Sequence, residues 1–339
     1  MAAQWQEHVS LRPYNTFGID VKARYFTQVR DDVEVRQALA GAAAEDVPVL
    51  VIGGGSNLLL TADVEALVLH MASRGLRVLE DDGERVVVEA EAGEPWHPFV
   101  QWCLRQGLNG LENLSLIPGT VGAAPMQNIG AYGVEIKDVF AGLTALDRHT
   151  GQLRDFSVQE CGFAYRDSLF KREAGRWLIL RVRFALHRTL QAHLDYGPVR
   201  QRLLEQGIEQ PTGQAISDAI CSIRREKLPD PAELGNAGSF FKNPVVGATL
   251  AERIRERYPH LVAYPQANGQ VKLAAGWLIE QAGWKGYREG DAGVHRLQSL
   301  VLVNHGQATG AQLHALACKI QADIHERFGV MLEMEPNLY

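Results

Sequence analysis

Short apolar runs closed by glycine pattern the first half of the chain. Val47-Pro48-Val49-Leu50-Val51-Ile52 is apolar and β-branched, which predicts a buried strand, and Gly53-Gly54-Gly55-Ser56-Asn57 stops it. Further strands are predicted over 66–70, 85–92 and 177–186. In the last of these, Leu178, Leu180, Val182 and Phe184 are set against Arg181 and Arg183. Residues 95–106 predict a helix, with Pro95 in its first turn and Gly107 just past its end. The second half reads as more helical. Ile216, Ala219, Ile220 and Ile223 recur at i, i+3, i+4 and i+7, one apolar face of a helix. Leu313, Leu316, Ala317, Ile320, Ile324 and Phe328 extend the same logic, with Thr309 as N-cap and Gly329 just beyond the end. Residues 330–335 return to a strand pattern. Strands first and helices later predict an α+β protein, divided somewhere between about 190 and 212.

Composition adds one anomaly. The 339 residues include 33 glycines, nearly 10% where about 7% is usual. Glycine in excess implies positive-φ turns or backbone that must approach something closely. At 46% apolar and 22% charged, the chain is otherwise ordinary for a globular protein. A net charge of −6 without a basic block argues against sequence-independent nucleic-acid binding. Cys103, Cys161, Cys221 and Cys318 are scattered with no C-x-x-C, so reduced structural thiols are expected, not a disulfide framework or a zinc knuckle. Residues 1–15 carry no apolar signal core, and no apolar run approaches the roughly 18 residues of a membrane helix. A soluble, cytoplasmic protein without a membrane partner is expected.

The glycines point to chemistry. After the strand at 47–52, backbone N–H groups of 53–57 are placed to converge on a phosphate. The run lacks the G-K-[ST] of a P-loop, and Leu58 occupies the third glycine position of a dinucleotide fingerprint. A tight turn therefore stands beside the anion-binding reading. The stretch 107–133, GLNGLENLSLIPGTVGAAPMQNIGAYG, holds six glycines yet keeps Leu111, Leu114, Leu116, Ile117, Val121 and Ile129. Its alternatives are backbone wrapped on a flat or extended ligand and a structural Ω-loop. Three polar clusters stand in unusual company: Tyr165-Arg166-Asp167-Ser168, the Ser239 flanked by Gly238 and Phe240-Phe241, and Glu333 with Glu335 on one face of the terminal strand. Each also has a bland reading as a paired arginine, a turn serine and a solvated strand face. No H-E-x-x-H, H-x-E or G-x-S-x-G is present, so a zinc or serine hydrolase is not supported and no metal is expected.

Taken in order, Y-N-T-F-G-I-D at 14–20, GGGSN at 53–57, IPGTVGAAPMQNIGAYGVE at 117–135, YRDS at 165–168 and KLPDP at 227–231 form a recognisable series. GSFFKNP at 238–244, YPQANG at 264–269, VKLAAGWLIEQ at 271–281, VHRLQSLVLVN at 294–304 and the terminal L-E-M-E complete it. Over essentially the whole chain this series resembles the UDP-N-acetylenolpyruvoylglucosamine reductase family, flavoproteins of peptidoglycan precursor synthesis.

The resemblance implies an FAD-binding domain of the PCMH type over about 18–190, in subdomains of about 1–68 and 69–190, followed by a smaller α/β substrate-binding domain over 211–339. It implies noncovalent FAD held by Gly53, Gly54, Gly55, Ser56, Asn57, Pro118, Gly119, Thr120, Gly122, Ala123, Asn128, Gly130 and Ala131. Arg166, Ser239 and Glu335 match the family's catalytic trio. Tyr132, Tyr196, Arg224, Lys227, Asn243, Tyr264 and Gln298 match positions that hold the UDP-sugar. Tyr196, in an Asp195-Tyr196-Gly197 loop, and Tyr264-Pro265 resemble the longer subgroup, in which a tyrosine clamps the nucleotide. The chain departs from the pattern at Gly54, where many relatives carry Glu, at Ala123-Ala124, and in its short end after Glu335.

The implied reaction is NADPH-dependent reduction of the enolpyruvyl group through FAD, by a monomer. The carbon next to the methylene that takes hydride becomes negative, its charge shared with the substrate carboxylate. Arg166 suits that charge with its guanidinium fork. Glu335 assists if burial keeps it protonated, and the Ser239 hydroxyl is an adequate proton donor if Phe240 and Phe241 exclude water. Two other readings remain: an FAD-dependent oxidase of the same fold, and a nonenzymatic UDP-sugar-binding protein.

Overall fold

The computed structural model of the chain describes residues 5–195 and 197–339. It mixes helix and sheet, as the α+β expectation requires, and divides into two compact units. The first comprises 1–9, 23–54 and 65–226; the second comprises 10–22, 55–64 and 227–339.

The first unit is built on two larger sheets, and it also holds the two-stranded pair of Gly130–Ala131 with Val134–Glu135. In one, Gln6–Ser10, Lys22–Val29, Val64–Met71 and Val49–Ile52 lie side by side in that order, with Val49–Ile52 parallel to Val64–Met71. The helix Asp32–Ala44 precedes Val49–Ile52, and Asp31 caps it by accepting from the Val33 and Glu34 amides. The second sheet is antiparallel in the order Leu153–Phe156, Phe140–Asp147, Trp177–His187, Arg85–Glu91, Leu76–Asp81. Alternation along Trp177–His187 is as predicted: Val182 and Phe184 are fully buried, whereas Arg181 and Arg183 reach the ion pairs with Asp32 and Asp155. The helix Trp96–Arg105 buries Trp96, Phe99, Val100 and Cys103, a single stripe at helical spacing, against this sheet's apolar face. Gly107 takes φ +71° after it, the left-handed turn that ends a helix cheaply in glycine.

The predicted helix carrying Ile216, Ala219, Ile220 and Ile223 is Gly213–Lys227. Its stripe packs on Val199 and Leu203 of the helix Gly197–Glu205.

In the second unit, Gly235–Ser239, Val301–Asn304, Ala292–Val294 and Arg288–Glu289 form an antiparallel sheet. The helix Gly310–Phe328 has the expected Thr309 cap, in a capping box with Gln312, and Gly329 follows at φ +67°. The core joins Phe17, Phe240 and Phe241 to Leu278, Leu313 and Ile320.

The strand expected over 330–335 does not form. Only Met334 bridges to Phe241, flanked by bonds from Lys242 N to Glu333 O and from Glu335 N to Phe240 O. The facing chain reaches Pro244 two residues on, and proline cannot continue a ladder as donor. The chain end is anchored elsewhere: Asn337–Leu338 runs parallel to Leu58–Leu59, and Tyr339 O accepts from the Thr61 amide and hydroxyl.

Among the described residues no helix is long and apolar enough to cross a membrane. The four cysteines are unpaired, with Cys318 exposed and the other three buried.

Candidate active site

Within the first unit the two glycine-rich stretches lie in contact. A Cβ placed on Gly53 would stand 2.4 Å from the Thr120 hydroxyl oxygen, and one on Gly54 would stand 3.0 Å from the Gly119 Cα. A Cβ on Gly122 would meet the Ala92 Cβ at 2.4 Å. The departure at Gly54 thus places a bare backbone where any side chain would need Gly119 to yield. Gly54 is exposed and Gly53 and Gly119 are half-buried, so this bare backbone is open to the close approach that a dinucleotide's phosphates need. Pro118 and Ala123 are exposed beside them.

The stretch 114–122 is moulded on the start of the Trp96 helix. Trp96 donates from its indole to Leu114 O and from its backbone to Gly119 O. Val121 N and Gly122 N donate to Glu94 O and Ala92 O, at 2.9 and 2.8 Å. The short 3₁₀ helix Val121–Gln127 follows, ending on Asn128 in the left-handed region at φ +45°.

Asn128 is fully buried, and its side chain is committed within the protein. Its amide donates to Glu135 Oε2 and Ala164 O, and its Oδ1 accepts from Lys137 N. These bonds tie the glycine stretch to the turn that carries Arg166. There Ala164 and Asp167 bridge, Arg166 sits at φ +53°, and its guanidinium donates to Gly130 O at 2.8 Å. A left-handed arginine costs backbone strain on the order of 1–3 kcal/mol, which surrounding bonds must hold in place. Ser168 contributes by accepting Lys171 N and donating to Met126 O. A Cβ on Gly130 would crowd the Glu135 side chain at 2.9 Å and Arg166 at 3.3 Å. Gly130, Ala131 and Arg166 are therefore brought together, all half-buried.

Tyr132 and Arg224 also meet. Burial pulls the Arg224 pKa down, offset by its contacts with Tyr132 and Cys221. The Arg224 Nε is buried without a hydrogen-bond partner, an orphaned donor that suits an anionic ligand. Tyr132 is left-handed at φ +50°, and its carbonyl accepts from Asn113. Tyr196 lies outside the described residues.

In the second unit, Ser239 ends a strand with a register shift against Val301–Asn304, where Gly238 takes φ +70° and donates to Asn236 Oδ1. Such a bulge re-aims the following side chain. Ser239 is exposed, whereas Phe240 and Phe241 turn into the core, their rings 5.3 Å apart and Phe240 6.2 Å from Phe17. The two rings therefore do not shield the hydroxyl: both are spent in the core, and the bulge at Gly238 leaves Ser239 outside it. Glu335 is half-buried and bonded through its backbone to Phe240, the neighbour of Ser239. The Asn57 amide donates to Glu335 O at 3.3 Å, and Asn57 O accepts from Asn337 N, so this part of the expected phosphate loop staples the chain end. Gly55 is fixed at φ +62° with no room for a Cβ, which would stand 2.0 Å from Tyr14 O; Ser56 follows it, half-buried.

Asn243 and Gln298 converge on the first turn of the helix Ala275–Gln281. Asn243 Oδ1 accepts from Ala275 N, and Gln298 Oε1 would lie 3.4 Å from a Cβ on Gly276. Tyr264 is exposed on Ala263–Pro265, and Lys227 is exposed at the end of its helix. A cavity of about 450 Å³ opens between the turn at Arg12–Gly18 and residues 231–235, but no predicted site residue lines it. Among the described residues no group of three or more His, Cys, Asp or Glu is poised for a metal.

Sequence reasoning missed Asn113, Glu135 and His97, which hold Tyr132, Asn128 and Leu116 respectively. No local pattern pairs His97 with an amide 19 residues away.

A family profile described as FAD binding domain matches residues 23–157, and one described as UDP-N-acetylenolpyruvoylglucosamine reductase, C-terminal domain, matches 230–339. A UDP-N-acetylenolpyruvoylglucosamine reductase of Pseudomonas putida is 83% identical across all of both chains. The proteins of the same name from Pseudomonas aeruginosa and Chromobacterium violaceum are 68% identical over all of both chains and 56% over 99% of each. A solved UDP-N-acetylenolpyruvylglucosamine reductase from Thermus caldophilus shares the fold, with a TM-score of 0.67 at 24% identity over 99% of each chain. The architecture is thus α+β, with a PCMH-type FAD-binding domain followed by a smaller domain.

Proposed function

The chain belongs to the UDP-N-acetylenolpyruvoylglucosamine reductase family, and from that premise we propose how its residues divide the work of reducing UDP-N-acetylglucosamine enolpyruvate to UDP-N-acetylmuramate. The end-to-end match to reductases of that name carries the reading. The enzyme is an FAD-dependent oxidoreductase of peptidoglycan precursor synthesis, with NADPH as donor. Residues 18–190 serve FAD and 211–339 serve the sugar, in a cytoplasmic monomer.

The chemistry that noncovalent FAD supplies when bound is hydride relay, from NADPH to the terminal enolpyruvyl methylene. Gly53, Gly54, Gly119, Thr120 and Gly122 hold it, with Gly55, Ser56, Asn57, Pro118, Ala123, Gly130 and Ala131 alongside. Asn128 serves that stretch by shaping it, since its side-chain polar atoms are already bonded.

Arg166 acts on the substrate's developing charge. Its guanidinium is permanently cationic and held by Gly130 O, so its geometry needs no rearrangement as charge grows. Ser239 then delivers its hydroxyl proton to the carbon that bears the charge. Glu335 assists in its protonated form, because an ionised carboxylate would repel that charge. Arg224, Tyr132, Lys227, Asn243, Tyr264, Gln298 and Tyr196 bind the UDP-sugar.

Rapid-mixing kinetics on Ser239→Ala test the assignment. NADPH should still reduce the bound flavin at close to the wild-type rate, while reoxidation by the enolpyruvyl sugar falls by roughly 100-fold or more. Equal slowing of both half-reactions would remove Ser239 as proton donor.

A further inference from the structure

One side chain outside the expected site holds the glycine stretch in an unusual conformation. Leu116 is left-handed at φ +58°, a region that a bulky residue enters only under constraint. It stands two residues before Pro118-Gly119-Thr120. Its amide donates to His97 Nδ1 at 3.0 Å, so His97 accepts there and carries its proton on Nε2. Nε2 faces Cys221 Sγ at 3.9 Å, on the helix Gly213–Lys227. Burial pushes the Cys221 thiol pKa up, so this neighbour stays an uncharged thiol. Beside Leu116, the Ser115 hydroxyl meets that of Ser217 at 2.7 Å, and Gln101 donates to Ser217 at 2.8 Å. The loop is thus pinned from two helices by side chains that no ligand needs to touch.

We propose that neutral His97 is a positioning residue for FAD: by accepting the Leu116 amide it holds the strained turn from which Pro118, Gly119 and Thr120 reach the cofactor. The inference rests on the reading of 117–135 as the stretch that lines FAD. The charged and titratable groups facing His97 are Arg225, Arg224, Asp218 and the Cys221 thiol. Burial first, then Arg225 and Arg224, keeps its pKa below the usual 6.5, with Asp218 opposing. At neutral pH the imidazole is therefore available as acceptor. Protonation would replace an acceptor with a donor aimed at a donor.

The test is FAD affinity of the deflavinated protein, read from the quenching of flavin fluorescence. His97→Ala should weaken FAD roughly tenfold or more, since the Leu116 amide loses its partner. His97→Asn, which offers an acceptor oxygen near the Nδ1 position, should restore most of the affinity. Leu116→Gly should recover part of the loss in His97→Ala, because glycine enters φ +58° without the Cβ penalty that the lost bond offset. Wild-type affinity should also fall as pH drops well below 6.5, while that of His97→Asn stays level. Amide exchange of 115–120 that slows on FAD addition places the loop at the cofactor. If exchange does not change, the reading of the stretch falls and His97 falls with it. If exchange slows but His97→Ala binds FAD as the wild type does, or neither His97→Asn nor Leu116→Gly restores binding, the His97 inference alone is overturned.

Discussion

Gly122→Ala is the sharpest probe of the cofactor loop, because a single methyl group tests the close fit of two backbones. The added Cβ would stand 2.4 Å from the Ala92 Cβ, 2.9 Å from its Cα and 3.1 Å from its carbonyl oxygen. None of these atoms lies at the end of a flexible side chain, so relief requires the backbone to part. Parting stretches the bonds from Gly122 N to Ala92 O and from Val121 N to Glu94 O, 2.8 and 2.9 Å long. Overpacking of this kind costs about 1–3 kcal/mol. If the loop relieves the strain by moving away and FAD binding must restore it, that cost appears as a loss of roughly 5- to 150-fold in FAD affinity. If the loop stays in place, the same cost lowers the melting temperature by about 2–4 °C per kcal/mol for a body of 150–250 residues. Flavin titration and thermal unfolding of the same preparation capture both routes. Ala92→Gly removes the opposing methyl group and should recover part of either loss. A Gly122→Ala protein with wild-type FAD affinity and wild-type melting temperature would refute the close-fit argument.

Other residues carry separable predictions. Asn243→Ala should lose about 0.5–2 kcal/mol of stability with the acceptor for Ala275 N, whereas Asn243→Asp should keep wild-type melting but raise the KM for the UDP-sugar; an unchanged KM in the aspartate variant would leave Asn243 as a helix cap alone. Gly55→Ala forces a side chain into φ +62° and against Tyr14 O, so the soluble yield or melting temperature should drop by the equivalent of about 2 kcal/mol or more, and wild-type melting would contradict the geometry. Glu112 is fully buried, and burial raises its pKa although the Gly110 amide donates to it at 2.6 Å. The folded state thus holds this proton more tightly than the unfolded chain, so the group's contribution is most favourable below pH 4.5 and declines as pH rises through the raised value. Glu112→Gln should flatten the fall of melting temperature across that window and match or exceed the wild type at neutral pH; an unaltered slope would show that Glu112 does not cause it.

Much of this fold can be read along the chain, because its signals are local. Alternation at Trp177–His187, the stripe of Trp96–Arg105 and the Thr309 and Gly329 caps each specify an element through residues within a few positions of one another. Residues 330–335 misled for the same reason: Leu332 and Met334 alternate with glutamates, but a strand needs a partner, and Pro244 ends the one available. The assignment of 10–22 and 55–64 to the second unit has no local signal at all. The site divides similarly. Glycine abundance pointed to backbone in close approach, and Gly53, Gly54 and Gly122 meet Thr120, Gly119 and Ala92 in that way. Which residues face them, and the role of His97 and Asn128 as braces, depend on contacts between distant positions that no periodicity records.

The chain reduces an enolpyruvyl sugar with electrons from NADPH through FAD. The most direct measurement of that reaction is anaerobic NADPH oxidation by the flavin-loaded protein, with and without UDP-N-acetylglucosamine enolpyruvate, with the sugar product weighed by mass spectrometry. Turnover should be sustained only with the sugar, with one NADPH consumed per UDP-N-acetylmuramate formed and a product two hydrogens heavier than its substrate. NADPH oxidation that ignores the sugar, or a sugar recovered unchanged, would contradict that reaction.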